Sequence, residues 1–384
     1  MFYERFSHHI HTPENDEHAT PETAVESGER ASARAEEIAG EGNYAQILDT
    51  LRREGLLPSE MKRVVREYAL ADIAFLNEAD KEMFAVLDLY DPGTARHCLE
   101  TYQIARGKME KEIMPGVSFA RLIEKQENVS LDQFYRACLF HDIGKVEVPR
   151  VVIRHHMDDG HMLECMHHVY HMLYHDGKIP EWLHLKEDAT DEEIDHAFSA
   201  QHTLRCNQLI PAREVLSPSD LEEVQRRGYT GEETLMDIIK PHETHSGEIL
   251  ANAGYPVESE IAALHHNYDA KKSERPLAVS VLHMNVDLSD MLHIADVMQA
   301  LRSGERTYKG SFSQPKAMRI ITEHAQEGKV SLLSAYLWLS DDLHKYEEKP
   351  PMDAKEREQD ERHLAFVRAF LAHAEEEVQV LEAA

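Results

Sequence analysis

Cysteine, aromatic side chains and positive charge are all scarce in this chain, and each shortage removes a class of explanation. The four cysteines, Cys98, Cys138, Cys165 and Cys206, are scattered without a CxxC pair. Neither a disulfide framework nor a cysteine-bound zinc site is therefore expected, and buried free thiols are. Aromatics make up only 7% of residues, and glycine and proline are modest; alanine, glutamate, leucine and histidine are plentiful instead. With apolar residues recurring at three and four, that composition predicts an all-α protein. Lysine and arginine number 41 against 71 acidic residues, a formal charge of −30, which argues against a long nucleic acid or an anionic membrane as partner. A small anion in a local metal-rich pocket stays compatible with it. No run approaches the roughly 18 apolar residues of a membrane span. The first residues, Met1 to Arg5, lead into no apolar core of a signal peptide, so a cytoplasmic protein is expected.

Read in order, residues 1–40 hold almost no large apolar residue after Ile10 and predict a flexible or loosely docked acidic arm. His8, His9 and His11 belong to that solvated tail. Residues 41–88 read as an N-terminal helical segment, with stripes at Ile47, Leu48 and Leu51 and from Val64 to Leu76, and Pro58 between them. No GxGxxG or GxxxxGK[ST] occurs there, so a dinucleotide fold or P-loop is not supported. A third unit spans 89–345, and 346–384 reads as a charged C-terminal helix with Leu364, Val367 and Leu371 on one face, packed on the domain or mediating dimerisation. Residues from about 151 to 232 look like a long helical insertion. Its many histidines, from His155 to His202, follow no repeated ligand spacing and are expected to be partly solvated and partly packed.

Several short stretches carry chemistry. Leu131, Phe134, Tyr135 and Cys138 form a core stripe that runs into His141-Asp142, with Gly144 just beyond. Adjacent side chains on a regular helix diverge by about 100°; if the helix ends there, both groups can be aimed at one metal ion, Gly144 supplying freedom to turn. Asp91-Pro92-Gly93-Thr94 starts a helix with His97 in its first turns. His242 and His245 stand one helical turn apart, suited to two ligands on one face or to one ligand and a neighbour. Ile261 and Leu264 run into the doublet His265-His266. Asp296 lies beside the core stripe Leu288, Met291, Leu292 and Ala295, where a carboxylate needs a metal or a cation such as Arg302. Arg302, Arg306, Lys309 and Lys316 make a basic cluster suited to a small phosphate. Ser313, Pro315 and Gly328 read as the start and stop signals of a later helix.

Taken together, His97, HDIGKVEVP from His141, HETHSGEIL from His242, the doublet His265-His266, IADVMQAL containing Asp296 and RTYKG from Arg306 resemble the HD-GYP family. These are HD-domain phosphohydrolases that act as bacterial cyclic di-GMP phosphodiesterases, and the resemblance covers roughly residues 85 to 340. It implies an HD-domain helical bundle and two divalent metals, iron or manganese. The implied ligands are His97, His141, Asp142, His242, His265, His266 and Asp296, with Asp142 bridging. Lys145, Arg306 and Lys309 fall where the family grips substrate phosphates, and Asp142 and Lys145 carry catalysis. The implied reaction is hydrolysis of a cyclic dinucleotide by a hydroxide shared between the metals. By analogy the chain would be a homodimer.

The chain also departs from the family. The loop of form HHExxDGxGYP after the doublet reads here as His265-His266-Asn267-Tyr268-Asp269-Ala270-Lys271-Lys272, and Gly254-Tyr255-Pro256 lies upstream where a helix connection belongs. Gly93 stands where three-metal members place a glutamate, so two metals are expected. An HD phosphohydrolase acting on another nucleotide or phosphoester, and a catalytically silent binding module, are the competing expectations.

Overall fold

A computed structural model describes residues 21–114, 117–123, 129–155, 190, 193, 210–266, 278–281, 284–303, 312–348 and 354–383. The described chain is all-α. Its helices are α1 (Pro21–Glu41), α2 (Tyr44–Arg53), α3 (Leu57–Glu67), α4 (Glu78–Tyr90), α5 (Pro92–Met109), α6 (Phe119–Ile123), α7 (Leu131–Phe140) and α8 (Arg150–Ile153). After these come α9 (Ala212–Val215), α10 (Pro218–Arg226), α11 (Leu235–Ile239), α12 (His242–Asn252), α13 (Pro256–Ala263), α14 (Leu288–Arg302), α15 (Gln314–Gln326), α16 (Leu332–Glu348) and α17 (Ala354–Ala383). Two short antiparallel ribbons accompany them: β1 (Glu112–Met114) with β2 (Val117–Ser118), and β3 (Ala278–Val281) with β4 (Met284–Asp287). Neither is foreseen by helical periodicity. The second comes from the β-branched alternation around Val279, Val281 and Val286, and it delivers α14 directly, Asp287 capping Ser289 N.

One contiguous core runs from Ala35 to Ala374. Helix α5 lies between α7 and α14, and the α12–α13 hairpin packs on α7 and on the 3-10 turn Ile143–Glu147. Three of the helices that carry the candidate residues therefore meet along α5, and the fourth element closes over the turn after α7. Short polar caps set their starts: Asp91 accepts from Thr94 N at 2.9 Å ahead of α5, and Ser130 and Gln133 form a capping box ahead of α7. Gly254, with φ +88°, turns the chain between α12 and α13, and Pro256 opens α13, so Gly254-Tyr255-Pro256 is the helix connection expected of it.

The structure corrects the N-terminal expectation. The second half of the arm forms α1, and Ala35, Ile38 and Ala39 are buried where it packs on α2 and α4. Three residues spaced i, i+3, i+4 suffice because alanine lets helices approach closely, which a count of large apolar residues misses. Arg34 ties the helix down through Glu54 at 2.9 and 3.0 Å. A second correction concerns the stripe from Val64 to Leu76. Helix α3 stops at Glu67, Ala69 adopts a left-handed φ of 51°, and Ile73 and Leu76 lie in the connection before Asn77 caps α4. Helix α4 crosses residues 88 and 89 without a break, so the N-terminal helices share one core with the helices beyond them.

At the other end Leu364, Val367, Phe370 and Leu371 bury one face of α17 against α15 and α16, which settles the packing of this helix on the body. Ser313 precedes α15 as predicted but does not cap it; its hydroxyl donates to Asp360 at 2.6 Å, tying α15 to α17 instead. Among the described residues no helix is long and apolar enough to cross a membrane.

Candidate metal centre

Seven residues named from the sequence, His97, His141, Asp142, His242, His265, His266 and Asp296, converge on one place. His97 lies in the second turn of α5 and Asp296 in the middle of α14, facing it. His141 comes directly after the last residue of α7, where the α-helix gives way to the 3-10 turn. That break lets His141 and Asp142 face the same space, as the dipeptide required, with Nε2 and Oδ2 3.6 Å apart. His242 opens α12, and His265-His266 occupy the turn just past α13. His245 is not part of the cluster; it points outward, 3.2 Å from Glu248.

Gly144 has a different reason from the one its sequence position suggests. Its φ is not positive; instead a Cβ there would meet His242 O at 2.1 Å and Ser246 N at 2.4 Å. Its backbone N donates to Ser246 Oγ at 2.9 Å. The glycine thus permits the first turn of α12 to lie directly on the 3-10 turn, which brings His242 to Asp142.

The two carboxylates divide the histidines between their oxygens. Asp142 Oδ2 lies 3.5 Å from His97 Nε2 and 3.6 Å from His141 Nε2, while Oδ1 lies 3.1 Å from His242 Nε2 and 3.8 Å from His265 Nε2. Asp296 Oδ1 faces His97 at 2.9 Å and His141 at 3.7 Å, and its Oδ2 faces His266 at 3.6 Å. The result is two donor groups sharing Asp142: one of His97, His141 and Asp296, the other of His242, His265 and His266. Among the described residues Asp296 pairs with His97, His141 and His266, and no ion pair joins it to Arg302.

Hydrogen bonding fixes which nitrogen each ring presents. His141 Nδ1 donates to Cys138 O at 2.9 Å, His242 Nδ1 to Ile239 O at 2.8 Å, and His265 Nδ1 to Ala262 O. Each carbonyl belongs to the end of a helix, where the last C=O groups lack intrahelical donors. In each neutral ring Nε2 is then a bare lone pair aimed at the shared space. The Nε2 atoms of His141, His242 and His265, and Oδ1 of Asp142, are all buried and make no hydrogen bond among the described residues. Lone pairs facing carboxylate oxygens in a buried site repel unless a cation lies between them. These histidine nitrogens and carboxylate oxygens could hold divalent metal ions.

The electrostatics favour the neutral ring at His265 and His266 and the charged ring at His141. Burial, and after it the neighbouring His266, holds His265 well below the usual histidine range, and burial pulls His266 down to about 4. For Asp142 burial acts upward, but the charges of Lys145 and His141 outweigh it and the carboxyl stays well below its ordinary range. Asp296 is likewise held low by His141 and His97 against its burial. His141 moves up: burial opposes its charge, and the neighbouring Asp142 carboxylate overcomes that opposition. Lys145 Nζ lies 2.5 Å from Asp142 Oδ2, at the edge of the cluster. Arg306, Lys309, the loop from Asn267, the insertion histidines from His156 to His202, and Cys165 and Cys206 lie outside the described residues.

Four participants were not singled out in the sequence. His293, one turn before Asp296 on α14, donates Nδ1 to His265 O at 2.8 Å, and its Nε2 lies 3.1 Å from His324 Nδ1. Gln299 and Glu100 stand behind His97, Gln299 Oε1 against His97 Nδ1 and Gln299 Nε2 donating to Glu100 Oε2 at 2.5 Å. Spacing from Asp296 by three residues is the sequence signal for both His293 and Gln299. Cys98 is the fourth: it is buried and free as expected, but its Sγ is within 4.8 Å of donor atoms of His141 and Asp142. Burial pushes this thiol up, which keeps it neutral.

Comparison with protein-family models, curated proteins and solved structures finds no match for this chain.

Proposed function

We propose that this chain is a two-metal phosphohydrolase of the HD-GYP type, hydrolysing cyclic di-GMP or a related cyclic dinucleotide. The observation that carries the reading is the division of Asp142, with one oxygen toward His97 and His141 and the other toward His242 and His265. A carboxylate placed in this way can hold two cations a few ångströms apart. Bound there, two divalent ions, iron or manganese, would lower the pKa of water and neutralise charge on a phosphodiester.

The chain's own residues have separate tasks. His141, His242 and His265 present Nε2 lone pairs fixed by helix-end carbonyls, so this part of the donor set needs little reorganisation on binding. Asp142 and Asp296 balance the charge. Lys145, at the rim beside Asp142 Oδ2, would take a phosphate oxygen and stabilise charge growing on it. Arg306 and Lys309 would grip further phosphates from the segment after α14. His97 and His266 are the partly exposed members of the cluster, with side chains 11% and 28% accessible, so a substrate would approach from their side.

A second reading, an HD phosphohydrolase acting on another nucleotide or phosphoester, is favoured by one observation: after the doublet the chain reads Asn267-Tyr268-Asp269-Ala270-Lys271-Lys272 without the family's glycines. The test is hydrolysis of a cyclic dinucleotide panel and of other phosphoesters by metal-loaded protein, with Asp142→Ala as control. Linearisation of a cyclic dinucleotide, abolished in the variant, is expected. Turnover of other esters alone would sustain the second reading, and tight nucleotide binding without any turnover would identify a silent binding module.

A further inference from the structure

His97 differs from His141, His242 and His265 in how its ring is held. His141, His242 and His265 each give Nδ1 to a main-chain carbonyl, which no side-chain substitution removes. His97 gives Nδ1 to the side chain of Gln299. The amide of Gln299 is symmetric in shape and could present either its oxygen or its NH2 group. Glu100 removes that ambiguity, because its carboxylate accepts only and draws the NH2 group toward itself.

The chain of consequences is directional. Glu100 orients the amide, the amide oxygen accepts from His97 Nδ1, and His97 Nε2 is left as a lone pair 2.9 Å from Asp296 Oδ1. The four side chains form a square across two helices. His97 and Glu100 are one turn apart on α5, Asp296 and Gln299 one turn apart on α14, and Gln299 is buried between them.

We propose that Glu100 and Gln299 are positioning residues that set the His97 tautomer, and through it the affinity of the half-site made by His97, His141 and Asp296, leaving the His242, His265 and His266 half-site unaffected. The proposal rests on the two-metal reading, and it adds a division of control: His141, His242 and His265 are preset by backbone carbonyls, His97 by a replaceable pair of side chains.

The test is calorimetric titration of the full-length, metal-stripped protein with Mn2+, with electron paramagnetic resonance to separate paired from isolated ions. Wild type is expected to load two ions. Glu100→Gln keeps size and hydrogen-bonding reach but removes the charge that orients the amide; it is expected to weaken one ion about 10- to 100-fold, the usual effect of such outer contacts, while the other ion keeps its affinity. The double variant Glu100→Gln/Gln299→Glu puts an acceptor-only group against His97 Nδ1 and a donor behind it, so the first ion's affinity is expected to return. A merely structural role for either residue predicts no such rescue. Two equally tight ions in Glu100→Gln, or a double variant no better than the single one, would overturn the proposal while leaving the two-metal reading intact. A wild type that binds no Mn2+ would overturn both.

Discussion

Two buried polar clusters sit at α7, and they solve the problem of buried charge in opposite ways. Around Arg136 every guanidinium nitrogen finds an acceptor: Nε reaches Asp80 at 3.0 Å, Nη1 reaches Glu258 at 2.9 Å and Nη2 reaches Phe75 O at 2.9 Å, with Phe75 and Tyr255 stacked on the cation. Five residues later, around His141, the donors are turned outward to helix-end carbonyls and the acceptors face one another. The first cluster carries its own cation and joins α4, α7 and α13 as a structural bolt. The second is short of cations in its centre, which is what a binding site for them requires.

The largest expected effect separates the clusters by function. Asp142→Ala removes the oxygen pair shared by both half-sites, so elemental analysis should find both metal equivalents lost and phosphohydrolase assays a drop of about 10³-fold or more, comparable to loss of a principal electrostatic group. Arg136→Leu should do the reverse. It leaves Asp80 and Glu258 buried without their cation and should cost about 3–5 kcal/mol in chemical denaturation, while folded protein keeps its metal.

Gly144→Ala should fall between the two. The added methyl meets His242 O at 2.1 Å, and the overpacking should lower stability by about 1–3 kcal/mol. It should also weaken the half-site containing His242 more than the one containing His97, as a metal titration would show.

A smaller effect is expected from pH, and its sign is set by burial. Burial, together with His266, pulls His293 down to about 3, and burial with Lys329 pulls His324 down to about 4. Below the ordinary histidine value of about 6.5 the unfolded chain takes up these protons while the folded chain does not. Stability therefore falls as pH drops from about 6.5 toward 4, by about 1.4 kcal/mol per pH unit for each such histidine. His141, shifted the other way, acts in a different window: its contribution is fully present below about 6.5 and is lost as pH rises through its raised value, so it leaves the slope of the acid loss unchanged. Denaturation of metal-free His293→Gln as a function of pH should show a shallower acid loss than wild type.

How far the sequence reveals these clusters differs as well. The all-α class is legible in periodicity and composition; the grouping of His97, His141, Asp142, His242, His265, His266 and Asp296 is legible only through the order of motifs that carries the family resemblance, because helix ends and core stripes alone leave His97, His242 and Asp296 with ordinary alternatives. The Arg136 cluster is not legible, since Asp80 and Glu258 lie 56 and 122 residues from Arg136 and all three resemble ordinary surface charges of a helical chain. Docking of α1 is hidden because it depends on alanines, and the role of Gly144 because it arises from contact with α12 and not from local backbone. His245 shows the limit in the other direction: helical spacing alone pairs it with His242, but rotation about α12 carries it to Glu248 and solvent.

The central claim is that the acceptor-rich cluster holds two cations bridged by Asp142. Anomalous scattering from unreconstituted crystals, combined with elemental analysis, tests it most directly. The account predicts two iron or manganese ions per chain, one beside His97 and His141 and one beside His242 and His265, with Asp142 between them. Fewer than two ions, or ions placed elsewhere, would contradict it.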